Sequence, residues 1–298
     1  MKMYAINTGI LFALFWVLSV AKDDLINLTE CGLKAKSISY LDLALESIHN
    51  AKENYPACTD STKPQDCEDL LNEGYNASGV YRIWPRSRVM EGKSLKVFCD
   101  MDTDGGGWTI IQRRGNFLRP KDYFYQDWDS YKKGFGNIER DFWLGNDNIF
   151  ALSSQKIYSL RIDLTDVEGN TSYALYDEFW IDDEAHNYTL HVNGYSGDAG
   201  DSLHLAHNNH QFSTKDRDND GLINNTCAQL YKGGWWYNAC HASNLNGLYL
   251  RGKHESYVDG VVWYTWKGDH ESMDTVEMKL RSKDFTSSPI SSDFITTQ

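Results

Sequence analysis

The sequence predicts an α+β domain built on a mainly antiparallel sheet and preceded by a short helical segment. Three observations carry that expectation. Stretches in which apolar and polar residues alternate recur along the chain, the period of a half-buried strand. Helical signals are few and short. No strand-helix-strand rhythm runs through the main body of roughly 220 residues, so a parallel, doubly wound sheet is not expected.

In chain order, the first feature is a leader. Met1 to Ala21 carries a single Lys2, an apolar run from Ile10 to Val20, and small residues Ser19 and Ala21 where a signal peptidase reads them. The run is shorter than the roughly 20 apolar residues a bilayer needs, so residues 1–21 are expected to direct secretion rather than membrane insertion. Residues 22–65 read as a helical segment and linker. Ile38, Leu41, Leu45 and Ile48 step by three, four and three, and Tyr55 lies one heptad further on, with Lys52 interrupting the seam. A helix from Ser39 to Glu53 is predicted, either a short coiled-coil seam between copies of the chain or a surface helix packed on its own domain. Pro56 to Gln65 has the Thr, Ser, Asp and Pro content of a linker.

A second helical signal runs from Cys67 to Glu73. Strands are predicted over Lys156–Leu164, Ser172–Phe179, Tyr188–Val192 and Val276–Arg281; in the first, Tyr158, Leu160, Ile162 and Leu164 alternate with Ser159, Arg161 and Asp163. The main domain is thus expected over residues 66–283, and 284–298 is expected to be a flexible tail. Ten Trp, 18 Tyr and 12 Phe require a folded core, and a formal net charge of −13 argues against nucleic acid or an anionic membrane as partner.

Secretion lets the six cysteines pair, in any of fifteen ways. Local spacing favours Cys227 with Cys240, a closure worth about 3 kcal/mol in the chain-entropy model, and then Cys67 with Cys99. Cys31 and Cys58 bracket the helical segment and are placed to bridge neighbouring subunits of a homo-oligomer. Asn27, Asn76, Asn170, Asn187 and Asn224 open Asn-x-Ser/Thr glycosylation acceptors.

Two stretches carry candidate chemistry. Asp216-Arg-Asp218-Asn-Asp220-Gly221 sets three carboxylates at alternate positions of a turn, which suits a hard cation such as Ca2+ and equally a solvated acidic turn. An EF-hand is excluded because its twelfth position, normally Glu, is Cys227. The second stretch, Tyr231 to His241 with Trp235, Trp236 and Tyr237 inside it, is dense enough in rings to line a shallow aromatic pocket for sugars or acetyl groups, or to fill a core.

Longer motifs carry a resemblance. Cys99-Asp-Met-Asp-Thr-Asp-Gly-Gly-Gly-Trp108, then Phe142-Trp143-Leu144-Gly145, then Trp235-Trp236-Tyr237-x-x-Cys240-x-x-Ser243-x-x-Asn246-Gly247 resemble, in order, the signatures of the fibrinogen C-terminal domain over about Asp66 to Lys283. Within that family the sequence is most similar to the lectin members, the ficolins and the arthropod tachylectin or techylectin type. The resemblance implies Ca2+ held by the carboxylates of Asp218 and Asp220 and by backbone carbonyls near Leu222 and Asn224. It further implies an acetyl pocket walled by Tyr231, His241 and Tyr257, the Cys240 amide holding the acetyl oxygen after a cis Ala239–Cys240 peptide. Val258 stands where acetyl binders usually have Ala, so a tighter methyl pocket is expected; Asp269 stands where they tend to place another aromatic, with His270 beside it as a substitute.

The expected function is a secreted, calcium-dependent lectin for acetylated groups, multivalent through its N-terminal segment and acting in innate recognition of microbial or cell surfaces. A non-lectin module binding a protein partner is the alternative. Catalysis is not expected: Gly-x-Ser-x-Gly, His-Glu-x-x-His and phosphate-loop motifs are absent from the sequence, and a disulfide-bonded Cys240 beside His241 is no nucleophile.

Overall fold

The computed structural model of the protein describes residues 37–47 and 63–286. The leader, Asn27, Cys31, Cys58, the seam positions Ile48, Lys52 and Tyr55, and the stretch 287–298 lie outside the described residues. Contacts divide the polypeptide into two units, 1–62 and 63–298. In the first, residues 37–47 are helical. Ile38, Leu41 and Leu45, three positions of the predicted seam, are 59%, 63% and 63% exposed.

The second unit opens with α1 (Cys67–Asn72), close to the predicted helix. Asp66 starts it by accepting the Asp69 amide, and Glu68 and Asp69 set negative charge against the positive end of the helix dipole. A disulfide from Cys67 to Cys99 ties this helix to the sheet.

Named in chain order, the strands of that sheet are β1 (Gly79–Ile83), β2 (Leu95–Asp100), β3 (Trp108–Arg114), the two-residue β4 (Phe135–Gly136) and β5 (Phe142–Trp143), then β6 (Tyr158–Thr165), β7 (Thr171–Ile181) and β8 (Leu190–Gly197). Two small ladders follow, β9 (Ser243–Asn244) with β11 (Val262–Trp263) and β10 (Gly252–Lys253) with β12 (Glu271–Ser272). The last strand, β13 (Thr275–Ser282), returns to the large sheet and lies between β3 and β6, giving the order β1-β2-β3-β13-β6-β7-β8, all antiparallel. Short helices α2 (Trp128–Lys133), α3 (Asn146–Ser153), α4 (His204–His207), α5 (Cys227–Leu230) and α6 (Tyr264–Lys267) complete the unit, which is α+β.

Burial along β6 alternates strictly, as its sequence predicts. The expected strand at Tyr188–Val192 instead begins at Leu190 and runs to Gly197, because Asn187 and Tyr188 both take positive φ and turn the backbone there. Tyr188 is wholly buried and donates its hydroxyl to Asp147.

One face of the sheet carries a buried ion cluster. Lys279, 2% exposed, lies 2.6 Å from Asp100, 2.7 Å from Asp163 and 3.0 Å from Glu277. Burial disfavours its charge, yet Glu277, Asp163 and Asp100 raise the ammonium pKa above its ordinary value. Burial likewise opposes ionisation of Asp100, and the Lys279 charge reverses that, holding its carboxyl well below the usual range. Lys279→Met leaves the Asp100 carboxylate without its cation, while Asp163 and Glu277 keep Arg161 and Arg113, and is expected to cost about 3–5 kcal/mol in guanidinium unfolding. A loss under about 1 kcal/mol would mean the cluster relaxes into solvent.

Candidate ligand and metal site

The site is built on the loops between β8 and β13. Its acidic turn begins with a division of labour among the three aspartates. Asp216 is committed to the fold: its Oδ1 accepts the Trp128 amide at 2.9 Å and the Thr214 hydroxyl at 2.7 Å. Asp218 and Asp220 face each other, the Asp220 amide donating to Asp218 Oδ1 at 3.1 Å. Asp220 Oδ1 and Oδ2 also accept the amides of Leu222 and Cys227, at 2.8 and 2.7 Å. Burial, against these hydrogen bonds and with the Asp218 charge adding to it, raises the Asp220 carboxyl above its usual value. Among the described residues neither carboxylate forms an ion pair with a basic side chain. Two adjacent, unneutralised carboxylates in a loop bearing the Leu222 and Asn224 carbonyls fit a hard oxygen-seeking cation such as Ca2+. Asn224 takes φ +71° and is exposed, as a glycosylation acceptor in a loop would be.

A second acidic group, unforeseen from sequence, has its cation position filled. Carboxylate oxygens of Asp166, Glu168 and Glu271 lie within 4.8 Å of one another. The Lys267 ammonium reaches Asp166 at 2.6 Å and Glu271 at 3.7 Å.

The acidic turn is wired to the aromatic stretch. Gly221 donates its amide to the Asn238 carbonyl at 2.9 Å, Asn238 donates to the Cys240 carbonyl at 2.8 Å, and a disulfide joins Cys227 to Cys240. The Ala239–Cys240 peptide is cis. Among the described residues nothing accepts the Cys240 N–H.

Around that turn the predicted wall residues come together. Tyr231 packs edge-on against His241 with ring centroids 4.5 Å apart, and Tyr237 lies 5.8 Å from the same imidazole. Burial raises the Tyr231 hydroxyl, and the neighbouring Tyr257 phenol raises it further. Tyr257 is 62% exposed, at the open side, while Val258 is 7% exposed with φ +46°. The Val258 amide donates to the Asp269 carbonyl at 3.2 Å, and His270 stands 5.8 Å from the Tyr257 ring, so Asp269 supports the wall through its backbone and His270 adds a ring to it. His241 lies against the Val258 backbone. Both its ring nitrogens are shielded from solvent and make no hydrogen bond of ordinary geometry. Burial, with the nearby His207 second, pulls its pKa down to about 3, so the ring is neutral at physiological pH.

Trp235, Trp236 and Tyr237 are fully buried, so they belong to the core and not to the open face. His207, on α4, is a site residue the sequence did not suggest. Its Nδ1 faces the Trp236 carbonyl at 2.7 Å and its Nε2 faces the amides of Ala242 and Ser243 at 3.2 and 3.1 Å. These contacts require a neutral ring protonated on Nδ1, and burial lowers its pKa to about 4. Nothing in the local sequence marks it: His204-Leu-Ala-His207 lies about 30 residues before the loop it clamps.

The other predicted positions are scattered. Asn170 donates its side-chain amide to Asp166, Asn187 is bonded to Gln211 and to Arg217, and Asn76 is exposed.

Residues 63–283 match the family described as fibrinogen beta and gamma chains, C-terminal globular domain. Techylectin-5A of Tachypleus tridentatus is 59% identical over 225 residues, 76% of each protein. A techylectin-like protein of Phoneutria nigriventer is 50% identical over 253 residues, covering 85% of this sequence and 98% of that protein. Among solved structures, the fibrinogen-like globe domain of human ANGPTL2 superposes with a TM-score of 0.69 at 40% identity, over 74% of this protein and 99% of its own length.

The two depressed imidazoles fix the sign of a pH effect. Their folded pKa values, about 4 and about 3, lie below the ordinary 6.5, so the unfolded protein takes up protons that the folded protein refuses. Their contribution to stability is intact above pH 6.5 and is lost progressively as pH falls, toward about 4 for His207 and about 3 for His241. The melting temperature is expected to fall over that window, and to fall less in His207→Gln, whose amide does not titrate. Identical slopes for the two proteins would remove His207 from the account.

Proposed function

The protein belongs to the family of C-terminal globular domains found in fibrinogen beta and gamma chains, and from that premise we propose that it is a secreted, calcium-braced lectin for acetylated groups, N-acetylated sugars foremost. One observation carries the reading: Tyr231, Tyr257 and Val258 gather about His241, a buried neutral ring whose nitrogens make no hydrogen bond of ordinary geometry among the described residues, beside a Cys240 amide with no acceptor among the described residues. Such a cup offers rings for a methyl group, one N–H for a carbonyl oxygen, and no charge against either.

In this reading Asp218, Asp220 and the carbonyls of Leu222 and Asn224 would hold Ca2+. Bound there, the ion neutralises the two carboxylates and stiffens the turn. Gly221 already holds Asn238, and with it the turn that presents the Cys240 amide, and the ion would reinforce that arrangement. The protein's own residues make every contact with the ligand.

An acetamide has few heavy atoms, and at a ceiling of about 1.5 kcal/mol per atom a single site reaches a Kd of tens of micromolar at best. Useful capture of a repetitive surface therefore needs linked copies, worth about 10²–10⁴ in avidity. The exposed Ile38, Leu41 and Leu45 face on helix 37–47 supports such linkage, with Cys31 and Cys58 as covalent bridges.

A non-lectin, protein-binding module is the second reading. Val258, almost fully buried where a smaller residue would leave room, favours it, as does similarity to an angiopoietin-like globe.

The readings part on an acetylated resin. N-acetylglucosamine is expected to elute the wild-type protein, a chelator to release it, and His241→Ala and the Asp218→Asn, Asp220→Asn pair to pass unretained. Val258→Ala is expected to tighten monovalent binding a few-fold by opening space for the methyl group. Wild-type protein that ignores the resin with calcium present would leave the protein-binding module as the reading.

A further inference from the structure

The large sheet begins at a basic edge. Over residues 79–97 the edge strand β1, the loop after it and β2 carry Arg82, Arg86, Arg88, Lys93 and Lys96 against one acid, Glu91, in a protein whose formal net charge is −13. All five cations are exposed. The inner side of this hairpin is apolar: Ile83 and Val97 are wholly buried and Tyr81 packs on the core, so strand alternation turns Arg82 and Lys96 outward.

Arg82 and Lys96 are direct partners in the β1–β2 register, so their side chains share one face. Like charges placed opposite each other destabilise a sheet. Among the described residues no carboxylate pairs with Arg82, Arg86, Arg88 or Lys96, and the Arg82 guanidinium donates to the neutral Ser94 hydroxyl at 3.1 Å. Lys93 pairs with Glu91 at 3.7 Å, both 75% exposed, and so loose a pair neutralises little. The loop between the strands is ordered by its backbone. Trp84 donates its amide to the Pro64 carbonyl, Arg86 donates its amide to Gln155, and successive turns join Met90 to Ser87 and Lys93 to Met90. The basic side chains thus project from a fixed frame.

The strip is narrow, two strands about 5 Å apart, and Arg82 to Arg88 spans at most about 20 Å. Its flanks are acidic. Asp102 accepts the Ser78 hydroxyl just before β1, and Glu68 and Asp69 lie on α1, which the Cys67–Cys99 disulfide ties to β2. A flat anionic membrane or a thick nucleic-acid duplex would be pressed against those acids, whereas a single flexible chain bearing strong-acid groups can follow the cations alone. Three of the five are Arg, whose planar fork pairs with two oxygens of one oxyanion.

We propose that the β1–β2 hairpin binds a sulfated polysaccharide, its sulfates neutralising Arg82 and Lys96 on the strands and Arg86, Arg88 and Lys93 in the loop. It is a second binding surface, made of residues that take no part in the acetyl-binding reading and independent of it.

Heparin is the probe, titrated against the full-length protein over a series of salt concentrations. Each neutralised cation releases condensed counterions, so the Arg82→Gln, Lys96→Gln pair is expected to bind about tenfold more weakly and to lower the slope of log K against log salt by about two. Its melting temperature is expected to match or exceed that of wild type, since a repulsion is removed, which separates lost binding from a lost fold. The Arg88→Gln, Lys93→Gln pair in the loop is expected to weaken binding comparably, and Lys121→Gln with Lys253→Gln, an equal loss of exposed charge elsewhere, to leave it unchanged. Wild-type protein that ignores heparin, hairpin variants that bind it as tightly as wild type, a control pair that weakens it equally, or equal affinity of the wild-type protein for duplex DNA or phosphatidylserine vesicles would each overturn the proposal.

Discussion

The candidate pocket depends on one constraint, the pinning of residues 236–243 from several directions at once. His207 takes the Trp236 carbonyl on one side of its ring and the Ala242 and Ser243 amides on the other. Gly221 holds Asn238, the Cys227–Cys240 disulfide holds the turn between them, and Tyr237 donates its hydroxyl to Asn244 at 2.6 Å. None of these partners adjoins the stretch in sequence except through the disulfide and Asn244. A site for a ligand with a handful of heavy atoms has little binding energy to spend on ordering its own walls, so the ordering must be done by the fold beforehand.

That ordering reaches back to the centre of the sheet. From β3, Gln112 donates to the Leu245 carbonyl and the Asn246 side chain, while Arg114 donates to the carbonyls of Leu245 and Gly247. Arg114 is fully enclosed and lies over the Phe124 ring; burial pulls its guanidinium down to about 10, still charged at neutral pH. A buried cation facing two carbonyls fixes the Ser243-to-Gly247 motif against the strand that β13 flanks on its other side. The return of the C-terminal strand to the middle of the sheet and the position of the binding loop are thus parts of one arrangement.

Much of the fold was legible from sequence because the signal was local. β6 alternates residue by residue, and α1 has its Asp66 cap and two acids in the first turn, so both follow from spacing alone. β3 was not legible: every residue is buried, including Gln112, Arg113 and Arg114, so it has no alternation and carries charges where a strand core should have none. Those charges have partners far away in sequence, and local patterns cannot show them. The same holds at the site. Asp218 and Asp220 stand out by their spacing, but so does Asp216, and only the contacts of Asp216 with Trp128 and Thr214 separate the structural carboxylate from the other two. His207 has no motif at all, since its role exists only once α4 meets the loop.

The wiring also bears on what calcium would do in such a site. Asp220 spends both carboxylate oxygens on the Leu222 and Cys227 amides, so the carboxylate that faces Asp218 is at the same time the anchor of the loop leading into the disulfide. Neutralising the Asp218–Asp220 repulsion would therefore stabilise the backbone conformation from which Gly221 holds Asn238. Any ligand that favours the same Asn238–Cys240 turn must, by linkage, tighten the cation to the same degree that the cation tightens the ligand. Metal and ligand need share no atom for this coupling. It requires only that the hydrogen bond from Gly221 to Asn238 and the covalent link from Cys227 to Cys240 transmit one set of loop positions to the other.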